Sequence, residues 1–340
     1  MSSKITLKQM AEKLGVSVST VSKALNNSHE IGDETKKKVL EFATLNNYKP
    51  NILARNLKNK KTNTIGVIIP NILNPFFAKV FSGIEKQANA MGYNIITAIS
   101  NESLEKEKQI MDILNNGIID GFILSVAEET QKEQSYNHIK QIMQSGTPVV
   151  IFDRVADGLN CDKVVVDDFN SAKYATEYLI KNGAKKIALL STINNLSVGK
   201  LRFMGYKEIT DEENNLFNEK LCIVEDQLDM FDKKLEKLLK SEKIDAVFAL
   251  DEHASAMAIK MALKAGYKIP KELMVIGFAD GVWSKRLTPS LSTISQHAPE
   301  IGSKAAQLLI EKLNKKNTET RLPQTIVVKT ELRHRDSTKR

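Results

Sequence analysis

Apolar side chains recur at helical spacing near the start of the chain. In the first such segment they occupy positions i, i+3, i+4 and i+7, at Leu7, Met10, Ala11 and Leu14. Thr6 and Gln9 fit a capping box before this segment, and Gly15 fits the left-handed position that ends a helix. Ser17 is suited to cap a second helix over 18–25 immediately afterwards.

The three residues 15–17 leave so little chain between these two helices that they must meet at a steep angle. Val21 and Leu25 of the second helix are expected to pack on the first. A third helix, predicted over 33–46, closes the small core. This is the helix-turn-helix pattern.

From Ile65 onwards, short apolar runs alternate with helical stretches. Strands are predicted in a first series at 65–70, 94–99, 119–124 and 148–152. A second series follows at 164–166, 186–190, 220–224, 245–250 and 273–278. Helices are predicted between them at 75–91, 104–115, 135–145, 169–182, 199–209, 228–240 and 252–265. The alternation predicts two doubly wound parallel-sheet subdomains that face each other across a cleft, with ligands at the carboxyl ends of the strands.

The predicted domain organisation has five parts. They are a helix-turn-helix domain at 1–48, a hinge at 49–61, a first subdomain at 62–161 with 296–324, a second subdomain at 162–295 with 325–332, and a tail at 333–340. Segments 291–295 and 325–329 are predicted as strands of returning crossovers, so that the chain passes between the subdomains three times.

Charge sets the first part apart from the rest. The formal net charge of the chain is +8, and residues 1–61 contribute +7 of it. A basic N-terminal module on a near-neutral body is typical of a protein that binds a polyanion, usually nucleic acid. A solvated charged surface is the alternative reading of this feature taken alone.

The outward face of the second helix favours the nucleic-acid reading, because its side chains are small or polar. Such a face can enter the major groove of DNA. Val18 is suited to a thymine methyl, Ser19 to either base type and Lys23 to guanine. Three further side chains are suited to phosphate oxygens: Thr20, Ser22 and Asn26. An ordinary solvated helix in a small bundle remains the alternative.

Three stretches of the chain resemble the LacI/GalR family of transcriptional regulators: "ITLKQMAEKLGVSVSTVSKALNN", "YKPNILARNL" and "TIGVIIPNILNPFF". The resemblance covers nearly the whole chain in the same order. It implies an N-terminal all-α helix-turn-helix domain followed by an α/β core like that of periplasmic binding proteins. It assigns base reading to Val18, Ser19 and Lys23, and matches Leu57 to a leucine that wedges into the minor groove. The other expected DNA contacts are Thr6, Ser17, Tyr48, Asn51 and Arg55.

Residues 51–58 follow Pro50, which suits the first turn of a helix. The segment is too short to be a stable helix alone, so we expect it to fold only with DNA and a second copy of the chain. Leu57 would then open a base step and bend the DNA. A flexible charged linker is the alternative reading, and the expected one in the absence of DNA.

Candidate effector contacts follow the predicted strand ends. They are Asn74, Phe76, Phe77, Ser125, Asp153, Arg154, Asp251 and Asp280. Arg202 in "GKLRFMGY" matches the R-x-x-G ligand arginine of the family. Phe76 and Phe77 also fit the core, and Asp153 and Arg154 also fit a mutual salt bridge. Ala279 stands where family members that bind sugars or purines commonly have Asp, which leaves the ligand chemistry open.

The sequence carries no motif for catalysis, for a cofactor or for a metal site, and Cys161 and Cys222 lie far apart. It has no N-terminal signal pattern, and only "RHRDSTKR" follows Leu332. We therefore expect a cytoplasmic homodimer that binds palindromic operator DNA as a repressor and responds to a small molecule, with a carbohydrate as the expected class. A sugar-binding protein without a DNA role is the alternative, and an enzyme the less favoured one.

Overall fold

The computed structural model describes residues 5–48, 61–154, 156, 158–212, 215–279, 281–314 and 322–339. The predicted hinge contacts Asn51, Arg55 and Leu57 and the candidate effector contact Asp280 lie outside these residues. The described chain forms two compact units, which divide between Thr62 and Asn63.

The N-terminal unit contains three helices, α1 (Leu7–Leu14), α2 (Val18–Leu25) and α3 (Asp33–Leu45). The predicted capping box forms, because Thr6 Oγ1 accepts from the Gln9 amide while the Thr6 amide donates to Gln9 Oε1. Gly15 ends α1 with φ +65°, a backbone angle that suits glycine. The buried core consists of Met10, Ala11, Val21, Ala24, Val39 and Ala43. These features confirm the predicted helix-turn-helix.

The second unit contains two six-stranded sheets. The strands are β1 (Thr64–Ile69), β2 (Asn94–Ile99), β3 (Gly121–Leu124), β4 (Val149–Phe152), β5 (Asp162–Val166), β6 (Ile187–Ser191), β7 (Cys222–Val224), β8 (Ala246–Ala249), β9 (Met274–Phe278), β10 (Ser292–Ser295), β11 (Thr325–Val328) and β12 (Glu331–Arg333). The first sheet has the order β11-β5-β4-β3-β1-β2 and the second β12-β10-β9-β8-β6-β7. Each sheet reverses its strand order beside its own first strand, as predicted for a doubly wound fold.

Helices cover the sheets. They are α4 (Pro75–Ala90), α5 (Leu104–Leu114), α6 (Glu128–Lys132), α7 (Asn137–Gln144), α8 (Asp168–Lys181), α9 (Ser197–Lys207), α10 (Leu228–Ser241), α11 (Glu252–Lys264), α12 (Trp283–Arg286) and α13 (Ala298–Asn314). A short π-helix (Glu208–Glu212) continues α9, and a 3-10 turn (Glu219–Leu221) precedes β7. Helices α4 and α13 pack on the first sheet around a shared apolar cluster that includes Val80, Ile84 and Ala305. The predicted strand and helix positions agree with these elements.

The predicted subdomain limits need correction at two strands. The prediction placed β5 and β11 in the second subdomain, whereas β5 pairs with β4 and β11 pairs with β5 in the first sheet. An apolar run followed by a helix occurs both at the end of one βα series and at the start of the next. The sequence pattern therefore does not show to which sheet such a strand belongs. The chain does cross between the subdomains three times, at 167, 296–297 and 329–330.

The segment predicted as a C-terminal tail is part of the second subdomain. Ser337 is buried, its hydroxyl donates to the Val275 carbonyl at 2.6 Å, and its carbonyl accepts from the Val275 amide at 3.0 Å. Ser292 Oγ lies 2.7 Å from Thr338 Oγ1. Residues 337 and 338 therefore link β9 to β10 through hydrogen bonds.

Candidate functional site

The outward face of α2 is built on a capped, well-supported helix. Ser17 precedes α2, and its side chain accepts a hydrogen bond from the Thr20 amide at 3.0 Å. Val21 and Ala24 point into the core, so the opposite face is left to solvent. Val18 is 43% exposed and Ser19 is exposed.

Ser19 Oγ lies 2.7 Å from Ser17 Oγ, so two of the base-reading candidates have partners in the structure, and the second is Lys23. Its ammonium group forms an ion pair with Glu30, and both side chains are about half exposed. Exposed ion pairs of this kind contribute about 0–1 kcal/mol to stability. Lys23 can therefore leave Glu30 for a DNA base at little cost.

The remaining predicted DNA contacts within the described residues support the fold as well as the surface. Thr6 and Ser17 use their side-chain oxygens as helix caps. Asn26 ends α2, and its amide group donates to the Ser22 carbonyl at 2.9 Å. Tyr48 packs against the core of the unit, and this burial raises its pKa. Thr20 and Ser22 are half-buried on α2.

In the second unit, a cavity of about 70 Å³ lies between the carboxyl ends of the two sheets. Seven of the nine predicted effector contacts line it: Asn74, Phe76, Phe77, Asp153, Arg154, Arg202 and Asp251. Ser125 is fully buried at the end of β3 and is not among the lining residues. The lining also includes residues that the sequence analysis did not select, namely Ile193, Leu196, Val198, Glu252, Phe278, Ala279 and Gln296.

Arg154 is fixed by the first subdomain. Its two terminal nitrogens contact the carboxylate of Glu102 at 2.5 and 2.8 Å, and Nη1 also donates to the Val126 carbonyl at 2.9 Å. Its guanidinium lies 5.5 Å from the centre of the Phe77 ring. The mutual salt bridge with Asp153 was the alternative reading of Arg154; the structure shows instead a bidentate ion pair between Arg154 and Glu102.

Arg202 is fixed by the second subdomain. Its Nε donates to Asp168 Oδ1 at 2.7 Å and its Nη1 to the Leu250 carbonyl at 2.7 Å. The guanidinium stacks 3.9 Å from the centre of the Phe278 ring. Burial raises the pKa of Asp168, while the charge of Arg202 opposes this shift. Asp168 thus provides a carboxylate partner for Arg202 that does not depend on position 279.

Asp153 is the carboxyl group that remains open to the cavity. It follows β4 with φ +65°, and no hydrogen bond to its side chain occurs among the described residues. Burial raises its pKa to about 6; the charges of Arg154 and Arg202 act against the shift, and those of Asp168 and Glu102 add to it. A ligand hydroxyl that donates to this carboxylate would replace part of the lost hydration.

Asn74 and Asp251 line the cavity but also cap helices. The Asn74 side chain accepts from the Phe76 amide at 3.0 Å. Asp251 accepts from the Ala254 amide at 2.9 Å and from the Thr192 amide at 2.7 Å. Phe76 and Phe77 belong to the core and to the cavity wall at once, in an edge-to-face pair with ring centres 5.3 Å apart.

Two missed residues show which sequence signals were available. Gln296 directly follows β10, so the strand-end rule that selected Asp153 would also have selected it. Asp168 opens α8, immediately after the first crossover. Its sequence signal was an acid at a helix start, which indicates a cap rather than a partner for a distant arginine.

Other classes of site have no support in the described part of the chain. No group of His, Cys, Asp and Glu side chains there is arranged to hold a metal ion. None of the helices that the structure describes is long and apolar enough to span a membrane.

Comparisons with known proteins cover both units. The family "Bacterial regulatory proteins, lacI family" matches residues 6–51, and the family "Periplasmic binding proteins and sugar binding domain of LacI family" matches residues 62–329. The ribose operon repressor of Halalkalibacterium halodurans is 30% identical over 331 residues, which is 95% of this chain and 96% of that protein. Catabolite control protein A of Priestia megaterium is 31% identical over 323 residues, with 94% and 96% coverage.

Many solved structures resemble the fold. The lac repressor dimer bound to operator and the anti-inducer ONPF is 20% identical, with a TM-score of 0.84 and coverage of 98% of this chain and 99% of that chain. A periplasmic binding protein/LacI transcriptional regulator from Alkaliphilus metalliredigens, complexed with D-xylulofuranose, is 26% identical with a TM-score of 0.69. The match covers 82% of this chain and 100% of that one.

Proposed function

The chain belongs to the LacI family of bacterial regulatory proteins, and we propose that it is a transcriptional repressor whose affinity for operator DNA is set by a small molecule bound between its two sheets. The observation that carries this proposal is the combination in one chain of an exposed, capped second helix with a polar cavity at the facing carboxyl ends of two sheets. The protein acts by binding and not by catalysis, and acts on DNA in the cytoplasm.

On DNA, Val18, Ser19 and Lys23 of α2 read base edges in the major groove, while Thr20, Ser22 and Asn26 contact phosphates. The DNA-reading surface is supported by Thr6 and Ser17, which cap α1 and α2, and by Tyr48, which packs on the core of the unit. In the predicted hinge, Asn51 contacts the DNA, Arg55 lies along phosphates or in the minor groove, and Leu57 enters a base step in the minor groove.

The protein acts as a homodimer. One helix-turn-helix reads a few base pairs, so a two-fold dimer on a palindromic site provides the required length of contact. Trp283 is 64% exposed and the neighbouring Val282 is 51% exposed, so both side chains are free to be covered by a second subunit.

The effector is a carbohydrate or a carbohydrate derivative without a phosphate group. The lining of the cavity combines three phenylalanine rings with polar side chains, a chemistry that suits a ring with hydroxyl groups, and the cleft must open beyond its volume of about 70 Å³ to enclose one. Arg154 and Arg202, the two cations of the lining, already have carboxylate partners. Asp153, Asp251 and Glu252 add negative charge, so a phosphate would meet no surplus of positive charge.

A thermal-shift screen against unphosphorylated sugars, sugar phosphates and nucleobases tests the effector class. A ligand at a hundred times its Kd adds about 2.7 kcal/mol to the free energy of unfolding. The same ligand must then change the affinity for operator DNA, measured by fluorescence anisotropy. Stabilisation without any operator binding would favour a sugar-binding protein without a DNA role, and turnover of the ligand would favour an enzyme.

The DNA assignments are tested with matched variants. Lys23→Ala should cost about 1–3 kcal/mol of binding free energy at one base pair per half-site. Lys13→Ala, an exposed lysine at the end of α1, serves as the control and should change affinity equally for all sequences. Leu57→Ala should weaken specific binding and DNA bending while non-specific binding stays the same. A uniform loss over all sequences for Lys23→Ala would contradict its role in base reading.

A further inference from the structure

The start of helix α9, which carries Arg202, receives no capping hydrogen bond from the side chain of its own N-cap residue. Its N-cap residue is Leu196, a buried apolar residue with no side-chain hydrogen bond to the helix. The first amide groups of any helix lack partners inside the helix. The start of α9 is also tightly packed, since a Cβ atom at Gly199 would lie 2.2 Å from the Ile193 carbonyl oxygen.

The missing cap comes from the first subdomain. Gln131 Oε1 accepts a hydrogen bond from the Ser197 amide at 2.9 Å, and Gln131 Nε2 donates to Ser197 Oγ at 2.9 Å. These reciprocal bonds join α6, which follows β3 of the first sheet, to α9, which follows β6 of the second. Beside them, Lys132 lies 3.6 Å from Asp226 of the second subdomain.

Helix α6 is anchored firmly enough to act as a support, although it has only five residues. The fully buried carboxylate of Glu107 accepts from the Ala127 amide at 2.7 Å, from Thr130 Oγ1 at 2.8 Å, and contacts His138 Nε2 at 2.9 Å. Glu102, the partner of Arg154, accepts from the Glu128 amide at 2.9 Å. The position of Gln131 is thus tied to the same network that fixes Arg154.

We propose that Gln131 is a positioning residue of the cleft, which caps α9 from the opposite subdomain when the two sheets are close together and so holds the helix that presents Arg202. Opening of the cleft removes this cap, because the Ser197 amide then loses its hydrogen bond to Gln131. Closure and the ordering of the Arg202 helix are therefore one event. The inference rests on the proposed function only for the contact between Arg202 and the effector.

The test uses the full-length protein without any ligand. Hydrogen exchange measured by mass spectrometry reports on a peptide that covers 196–203, in Gln131→Ala and in the parent protein. Loss of both bonds should speed exchange of the Ser197 amide about tenfold, which corresponds to about 1.4 kcal/mol. Gln131→Glu should restore slow exchange, because its carboxylate keeps the acceptor and favours a helix N-terminus.

Two controls separate this role from a general loss of stability. Gln141→Ala changes an exposed glutamine on α7 of the same subdomain and should leave exchange unchanged. The first turn of α11 is capped by Asp251 within its own subdomain, so its exchange should stay the same in every variant.

A distance measurement completes the test. Spin labels on cysteines that replace the exposed Lys106 and Lys240, in a Cys222→Ser background, report the separation of the subdomains. Gln131→Ala should broaden this distance distribution toward larger values. Unchanged exchange at 196–203 or an unchanged distribution in Gln131→Ala would overturn the inference. Absence of any effector response in the parent protein would instead count against the proposed function alone.

Discussion

Each side of the cleft presents one buried arginine beside a phenylalanine ring, and the two are held in different ways. Glu102 and the Val126 carbonyl take both terminal nitrogens of Arg154. In Arg202, Asp168 takes Nε and the Leu250 carbonyl takes Nη1. Among the described residues, no acceptor takes a hydrogen bond from Nη2 of Arg202.

This difference separates two roles that the residue type alone does not distinguish. Both terminal nitrogens of Arg154 are engaged and its Nε is buried without a partner among the described residues, so Arg154 offers no accessible donor; it supports the loop before α6 and forms part of the cavity wall. Asp168 and the Leu250 carbonyl bind Nε and Nη1 of Arg202, so Nη2 remains available to donate a hydrogen bond to a ligand. A guanidinium held in this way loses little conformational freedom when it binds a hydroxyl group.

The largest expected effect comes from removing either arginine. Arg202→Ala leaves Asp168 buried without a partner and should cost about 3–5 kcal/mol of unfolding free energy. Arg154→Ala should cost less, because the side chain of Glu102 is 32% exposed and can be hydrated. Urea denaturation of both variants at pH 7 measures the difference. Equal losses would contradict the distinction drawn between the two pairs.

Paired replacements separate stability from effector response. Arg202→Met with Asp168→Leu removes both charges and should recover most of the lost stability, while the response to the effector stays absent. Arg154→Met with Glu102→Gln should also fold, and should keep the response. A full effector response in the Arg202 double variant would show that the ligand contact has been assigned to the wrong side.

The next effect concerns pH and Asp153. Its folded-state pKa is about 6, above its ordinary value of 3.8. The folded state therefore binds the Asp153 proton more tightly than the unfolded state does. The contribution of Asp153 to the free energy of unfolding falls as pH rises from about 4 to 6, and it stays lower above that range. Asp153→Asn should remove a penalty on the order of 3 kcal/mol at pH 7.5.

The same variant should have nearly the melting temperature of the parent protein at pH 4, where Asp153 is protonated in the folded state and only about half ionised in the unfolded state, so that most of the penalty is absent. Differential scanning calorimetry at the two pH values gives this comparison. A gain of equal size at pH 4 and at pH 7.5 would rule out the titration of Asp153 as its cause.

The smallest expected effect comes from replacing the two phenylalanine rings that lie beside the arginines. The Phe278 ring lies 3.9 Å from the Arg202 guanidinium, and the Phe77 ring lies 5.5 Å from that of Arg154. Phe278→Leu should therefore weaken effector binding by about 1 kcal/mol more than Phe77→Leu does. Calorimetric titration with the effector from the screen measures both. A larger loss for Phe77→Leu would indicate that the ligand stacks directly on that ring.

The arginines also show how far sequence reasoning reaches. Arg154 and Arg202 were found because one follows a strand end and the other lies in a family motif. Their carboxylate partners, Glu102 and Asp168, were not identified from the sequence, because they lie 52 and 34 positions away along the chain. Pairing over such separations depends on how α5 and α8 pack, and no local pattern records it.

Asn74 and Asp251 illustrate a different limit. Both follow a strand and precede a helix, so the rule for ligand contacts and the rule for helix caps select the same residue. The geometry shows that their side-chain oxygens are used as caps, while both still line the cavity. The misplacement of β5 and β11 has a similar origin, since a strand's period does not specify its neighbour.

The position of β11 and β12 in separate sheets has a consequence for how the protein is made. Neither sheet can add its last strand until the residues from Thr325 onwards have been synthesised. Ser337 then completes the second sheet. The helix-turn-helix of residues 5–48 has all its core partners within the first part of the chain to leave the ribosome. A translation product that stops before Thr325 would thus carry an intact DNA-reading unit and two unfinished sheets.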